Sequence, residues 1–208
     1  MGESPVPWWG LASSVVAPLA LVGGWTWAAA AQSPAFDSIA STISALAAHD
    51  ADSRWVMTGA LVVTGSCHVT TACALVPVRR LGRALLAAGG VATVGVAVFP
   101  LPSATGTSPM HTLCASAAFA LLAGWPFASA VSDSWAEGAW ATRPVVRTTA
   151  GSVLVLLVLG FVAGQRASGD LTGLLERLAA GAQSAWPAAV ALSLAAAWRA
   201  RARSRQPA

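Results

Sequence analysis

The chain contains no lysine and no tyrosine, and charged residues fill only 10% of its 208 positions. An ordinary globular domain carries roughly 25% charge, because that is what keeps its surface in water. So small a supply excludes a water-soluble domain of this length, whereas a protein whose sides face hydrocarbon needs charge only at its two ends. There are three cysteines, all inside apolar runs, which excludes a disulfide framework and leaves buried thiols acting as small hydrophobes. What is abundant is apolar: hydrophobic types reach 56% and the mean hydropathy is +0.65. The twelve basic residues are all Arg, and ten Trp stand against five Phe, a bias that fits a GC-rich coding sequence and carries no function. A net charge of +4 would suggest nucleic acid in a soluble protein. Here most Arg flank apolar runs, a topology signal, and nucleic acid is excluded as a partner.

Six apolar stretches are long enough to cross about 30 Å of hydrocarbon at 1.5 Å per residue. They run approximately over 9-31, 55-78, 84-100, 111-131, 145-164 and 183-198, the third and sixth being short. The expected fold is therefore an all-α integral membrane bundle of six transmembrane helices, a single domain over 1-208. Arg79, Arg80, Arg83, Arg143, Arg147, Arg199, Arg201, Arg203 and Arg205 share one side, leaving Arg54, Arg166 and Arg177 for the other. The positive-inside rule then makes both termini cytoplasmic, with residues 199-208 a basic tail, in the bacterial cytoplasmic membrane. The first span ends in the small residues Ala28 to Ala31, as a signal-peptidase site does. Its apolar run is too long for a signal peptide, and Glu3 with no Arg or Lys precedes it, so a retained helix is expected. Pro18, Pro126 and Pro187 fall within spans, where neighbouring helices tolerate kinks. Gly89, Gly90 and Gly95 offer small faces for close packing.

Two loops on the side opposite the Arg clusters are longer than a connection needs. Gln32 to Arg54 carries Ile39, Ile43 and Leu46 at helical spacing beside Ser38, Ser41 and Ser44, which predicts a short amphipathic helix at the outer interface. Gln165 to Gly181 repeats the pattern, with Leu171, Leu174, Leu175 and Leu178 among Asp170, Glu176 and Arg177, and Asp170 is placed to cap it. The expectation is a bundle with short amphipathic helices as a lid on its outer mouth.

The run Asp37 to Leu46, the Phe99-Pro100-Leu101-Pro102 that closes the third span, and His111 opening the fourth together resemble the bacterial membrane family known as domain of unknown function 998. The resemblance covers nearly the whole chain, and the order of the three motifs is more specific than any one of them. It is fainter toward the Frag1/DRAM/Sfk1-type membrane proteins. It implies six spans and a candidate site but no reaction.

All three motifs lie at outer span ends, so a bundle brings Asp37, Ser41, Ser44, Pro100, Pro102 and His111 toward one mouth. A carboxylate and an imidazole close to hydrocarbon are expensive to leave unpaired and point to function. The plainer alternatives are that Asp37 caps a short helix and that His111 bonds a loop carbonyl at headgroup level. His68, thirteen residues after Trp55, lies about 20 Å along its helix, near the bilayer middle, and needs a partner such as Ser66, Thr70 or Thr71. That depth separates it from His111, which excludes shared haem ligation. Cys67, His68, His111 and Cys114 have no recognised ligand spacing, so no metal and no cofactor is implied.

Trp8, Trp9, Trp55, Trp135, Trp140 and Trp198 fall at span ends, where an indole belt is expected. Trp25, Trp27, Trp125 and Trp186 lie within spans. They either fill the core or line an electron-rich pocket able to hold an isoprenoid and stabilise a carbocation. Two function classes follow. One is an enzyme on a lipophilic, isoprenoid-like or lipid substrate, in its sharpest form a terpenoid cyclase started by a protonated Asp37 with His111 as orienting partner. No aspartate-x-x-aspartate motif for diphosphate is present, which disfavours metal-dependent ionisation and leaves protonation as the trigger. The other is a non-enzymatic protein that binds lipid or supports a partner. A transporter fits less well, for want of mid-span charges.

Overall fold

The structure, a computed structural model, describes residues 5–33, 36–167 and 169–204. Glu3 and Arg205 lie outside the described residues. Six α-helices make up the bundle: α1 (Trp8–Ala30), α2 (Arg54–Ala74), α3 (Arg80–Val98), α4 (Pro109–Ala128), α5 (Pro144–Arg166) and α6 (Thr172–Ser204). Each is long and apolar enough to cross a membrane, which makes the chain an integral membrane protein. No strand forms among the described residues, and the one extended contact is an isolated bridge between Val78 and Val131. Sequential helices pack side by side, and α1 closes the ring against α6, which also touches α2 and α4. Lipid-facing positions are bulky and apolar: Leu19, Leu113, Val145 and Leu156 are all more than 60% exposed. Close approach depends on glycine where backbones meet. A Cβ on Gly90 of α3 would fall 2.5 Å from the carbonyl oxygen of Gly65 on α2, and one on Gly65 would fall as close to that of Gly90.

The helix boundaries differ from expectation at two places. The second span stops at Ala74, not near 78, because Pro77 disfavours helix at the residue before it and Leu75 has already left helical geometry with ψ 50°. The sixth, expected to be short and to begin at 183, is the longest helix at 33 residues. It absorbs most of the expected outer amphipathic helix, since nothing around Gly181 breaks the α-helical hydrogen bonding. It also absorbs the first residues of the expected basic tail, Arg199 to Ser204. Its faces are distributed as lipid demands. Leu174 and Leu178 point outward, while Thr172, Glu176, Ala179, Gln183, Pro187, Val190 and Leu194 form the buried stripe.

The other expected amphipathic helix is also replaced. Residues 38–40 form a turn within an otherwise irregular 37–43, and only Ser44–Ala47 is helical, as one turn of 3-10 helix. Ile43 and Leu46 are buried, but Ile39 is 53% exposed, so the three do not share a face. At the arginine-rich end Arg83 donates from Nε to the carbonyl of Ala72 at 2.8 Å and from Nη2 to that of Cys73 at 3.2 Å. Free carbonyls at the end of α2 thereby gain cationic partners. Trp135 meets Trp198 edge to face there, at 5.3 Å.

Candidate functional site

The opposite end, where α1, α3 and α5 finish and α2, α4 and α6 begin, is roofed by the loops that hold the motifs. Asp37 organises the first of these. Its Oδ1 accepts the backbone N–H of Ile39 at 2.8 Å and of Ala40 at 3.2 Å, closing a turn. The turn presents carbonyls outward: Gly173 donates to Ala40 O at 3.2 Å and Leu174 to Ile39 O at 2.9 Å, so two free N–H groups at the start of α6 are capped by a segment over 130 positions away. Arg177 donates from Nη1 to the carbonyls of Ser38 and Ser41, each at 2.8 Å, and clamps the turn onto α6. Gly173 permits that seating, because a Cβ there would collide with the carbonyl of Ser41.

The clamp brings Glu176 under the turn. Only 4% exposed, its carboxyl accepts the backbone N–H of Ile43 through Oε2, and Oε1 lies 3.4 Å from Ser44 Oγ. Ser44 Oγ in turn lies 3.1 Å from Nε2 of His111. His111 is set in the first turn of α4 by Ser108, whose Oγ accepts its N–H, and by Pro109 at a position where the missing N–H costs nothing. Its Nδ1 is 2.9 Å from the carbonyl of Phe99. A carbonyl only accepts, so Nδ1 carries hydrogen.

The protons along this chain can be counted. Ser44 has one hydroxyl hydrogen and two neighbours. With an ionised Glu176 and a neutral His111, that hydrogen serves one neighbour and the other contact sets lone pairs against each other. One further proton satisfies both contacts, in either of two forms. In one, Glu176 is a carboxylic acid donating to Ser44, which donates to His111 Nε2. In the other, imidazolium donates to Ser44, which donates to carboxylate. One shared proton therefore suffices to satisfy both contacts of the chain Glu176–Ser44–His111.

It stands in the wall of a cavity of about 410 Å³ that fills the crevice between α4 and α5. Phe119 and Phe161, with ring centroids 5.3 Å apart, belong to its wall, and Thr112, Ser116 and Ala120 form an exposed stripe on α4 along its rim. That stripe covers about 12 Å of helix at 1.5 Å per residue, and Ala104, Thr105, Thr107 and Gln165 in the same lining are exposed too, so the crevice is open both at the loop-covered end and sideways along α4. Its volume lies within the range of pockets that hold small molecules.

Several expected site residues fall elsewhere. Ser44 and His111 meet, but Asp37 is exposed and occupied as an acceptor, and the amides of Ala40 and Ile39, with a smaller contribution from Arg177, hold its carboxyl below the usual carboxylate range. That geometry suits the capping alternative and not a protonated acid. Ser41 contributes a carbonyl to Arg177, while Pro100 and Pro102 flank Leu101, which does line the cavity. None of the four Trp lines it. Trp27 is 69% exposed, Trp25 covers Gly181, Trp125 is wholly buried in the opposite half of the core, and Trp186 packs against Trp140 at 6.3 Å. Phenylalanine, not tryptophan, supplies the aromatic wall. Of the partners expected for His68, Thr70 donates to the Ser66 carbonyl, Thr71 pairs with Ser13, and Ser66 is exposed. Glu176 was not expected in the site; its spacing with Thr172 and Gln183 on one face was the available signal.

The family model for a protein of unknown function (DUF998) matches residues 14–193, and the chain belongs to that family. No curated protein and no solved structure matches it. The fainter similarity to Frag1/DRAM/Sfk1-type proteins has no counterpart in these comparisons.

Proposed function

We propose that this family member is a membrane-embedded enzyme that protonates a lipophilic, isoprenoid-like substrate and lets it cyclise, with Glu176 rather than Asp37 as the proton donor. The observation that carries the reading is the contact chain Glu176–Ser44–His111 in the wall of a crevice with an exposed rim along α4, which this reading turns toward lipid. A neutral carboxylic acid in apolar surroundings is a proven form of acid catalyst. The substrate enters from the hydrocarbon between α4 and α5, on the extracytoplasmic side if the Arg-rich end is cytoplasmic. Glu176 gives its proton to a terminal alkene carbon, the π electrons form the new C–H bond, and a tertiary carbocation is left. A second alkene attacks it, forming a ring, and loss of a proton from a neighbouring carbon restores a double bond. The sum is an isomerisation that needs no co-reactant. Phe119 and Phe161 present ring faces to a passing cation, and His111, held by Phe99, orients and balances the Ser44 hydroxyl.

The test is incubation of the purified protein in lipid nanodiscs with geranylgeraniol and longer linear polyprenols in heavy water, read by mass spectrometry. Ring-containing isomers bearing solvent deuterium are expected, and Glu176→Gln, which keeps shape and hydrogen bonds but has no acid proton, should lose about 10²-fold or more in turnover. Turnover undiminished in that variant, or a polyprenol that is retained but never isomerised, would overturn the reading, the latter in favour of a lipid-binding protein.

A further inference from the structure

Behind the crevice lies a second cavity, of about 70 Å³, and Ser44, Ala115, Phe119 and Glu176 belong to the lining of both. Beyond that junction the two walls differ in kind. The mouth of the outer cavity carries Thr105 and Thr107 from the loop before α4 and Gln165 from the end of α5, and the side chains of these three make no hydrogen bond among the described residues. No arginine lines it; Arg166, next to Gln165, is exposed and stands outside the lining. The inner surface is almost wholly apolar, with Leu21, Leu61, Val96, Ala118, Leu122 and Ala180 in its wall. The polar groups around it are engaged or sealed. Thr64 and Thr93 donate to the carbonyls of Ala17 and Gly89 at 3.2 and 2.9 Å, Gln183 donates to that of Phe119 at 2.9 Å, and the polar side-chain atoms of His68 and Ser184 are closed to water-sized space. A cavity with such a wall stays dry and takes up apolar matter. Counting from the helix ends at this face places Gln165 about 2 Å deep, Glu176 about 6 Å, Ala180 about 12 Å and Leu122 about 20 Å. The polar rim is therefore at the loop-covered end, and the apolar space runs toward the bilayer middle.

We propose that the two cavities together hold one uncharged amphiphile, with a hydroxyl head on the rim of Thr105, Thr107 and Gln165 and its chain end in the inner cavity, past Glu176. The inference rests on the reading of Glu176 as an acid acting on an isoprenoid-like chain. The head is uncharged because the rim offers hydroxyls and an amide where a phosphate calls for cationic donors. It stays outward because a hydroxyl taken into the apolar end would lose its hydrogen bonds. The inner cavity has less than half the ~150 Å³ of an apolar cavity that admits benzene, which leaves room for a chain tip of a few carbons and not for a ring. Seated so, the double bond farthest from the head is the one that reaches Glu176. Protonation then starts at the chain end, the ring closes in the outer cavity, and the hydroxyl survives into the product. Ala118 and Ala180 set the space left for the chain end.

The experiment uses the full chain in nanodiscs with two photoreactive geranylgeraniols, one with a small diazirine at the chain end and one with it beside the hydroxyl. Peptide mass spectrometry after illumination is expected to find the first on the inner wall, at Leu61, Val96 or Leu122, and the second at residues 104–107 or Gln165. A roughly tenfold excess of unlabelled geranylgeraniol should lower both yields about tenfold by mass action, and the same excess of geranylgeranyl diphosphate should not. Ala180→Val, and Ala118→Val as a second variant, fill an empty apolar space; the melting midpoint should hold or rise while the chain-end label leaves the inner wall. Chain-end adducts confined to the rim or to the lipid-facing Leu113 and Leu156, or equal competition by the diphosphate, overturn the proposal. The expected adducts without isomerisation of geranylgeraniol remove the cyclase reading and leave the subsite standing. Isomerisation with the chain end outside the inner cavity removes the subsite and leaves Glu176 as the acid.

Discussion

His111 and Ser44 are 67 positions apart, yet Nε2 of one lies 3.1 Å from Oγ of the other, across the junction of a loop and a helix start. Neither side chain holds that geometry alone. The ring is pinned by Phe99 and by the Ser108 cap, and the hydroxyl by a turn that α6 clamps from above.

Ser44→Ala should separate acid from imidazole. His111 Nε2 is left without its partner, a cost of about 1–3 kcal/mol, visible as a lower melting midpoint in detergent. Polyprenol turnover should fall more steeply than the stability loss explains. Wild-type turnover in Ser44→Ala would show that the hydroxyl does not connect the two.

Gly173→Ala tests the seating of the turn on α6. The added methyl meets the Ser41 carbonyl, so turn and helix must separate, at about 1–3 kcal/mol. The same change at Gly124, whose Cβ meets nothing within 4 Å, should leave the melting midpoint where it is or raise it slightly.

Asp37→Asn should fold and turn over nearly as the parent does, because Asn accepts the same turn N–H groups, while Asp37→Ala should melt earlier. The native carboxyl is held below its ordinary value, so its contribution is complete above the ordinary carboxylate range and disappears as pH falls through the lowered native value. Melting of the Asn variant should therefore lose that part of the acid dependence. A dead Asp37→Asn enzyme with unchanged melting would return the donor role to Asp37.

Ala120→Trp should fill the rim of the crevice. Ala120 is exposed and lines the cavity, so the substitution raises the apparent KM for a polyprenol or abolishes turnover with little change in melting. Leu156→Trp on the 65%-exposed lipid face of α5 serves as the control and should alter neither.

The sequence made the spans legible because length and hydropathy alone decide them, and it made Ser44 and His111 legible because both sit in short motifs at span ends. Glu176 was not legible in the same way. Beside four leucines it resembles the wet face of an interfacial helix, and in water that would be right. In lipid the sense inverts: leucine turns outward and the carboxylate inward, a choice that depends on α6 continuing through Gly181. The tryptophans failed for the opposite reason. An indole at mid-span packs a core as readily as it lines a pocket, and only the neighbours at Gly181, Trp140 and the arginine-rich end separate the two.

The sideways mouth between α4 and α5 has a kinetic corollary. A molecule that arrives there is delivered by two-dimensional diffusion, so the variable that sets occupancy is its mole fraction in the surrounding leaflet and not its bulk molarity. Diluting a fixed quantity of ligand with additional phospholipid should slow saturation even though the aqueous volume is untouched.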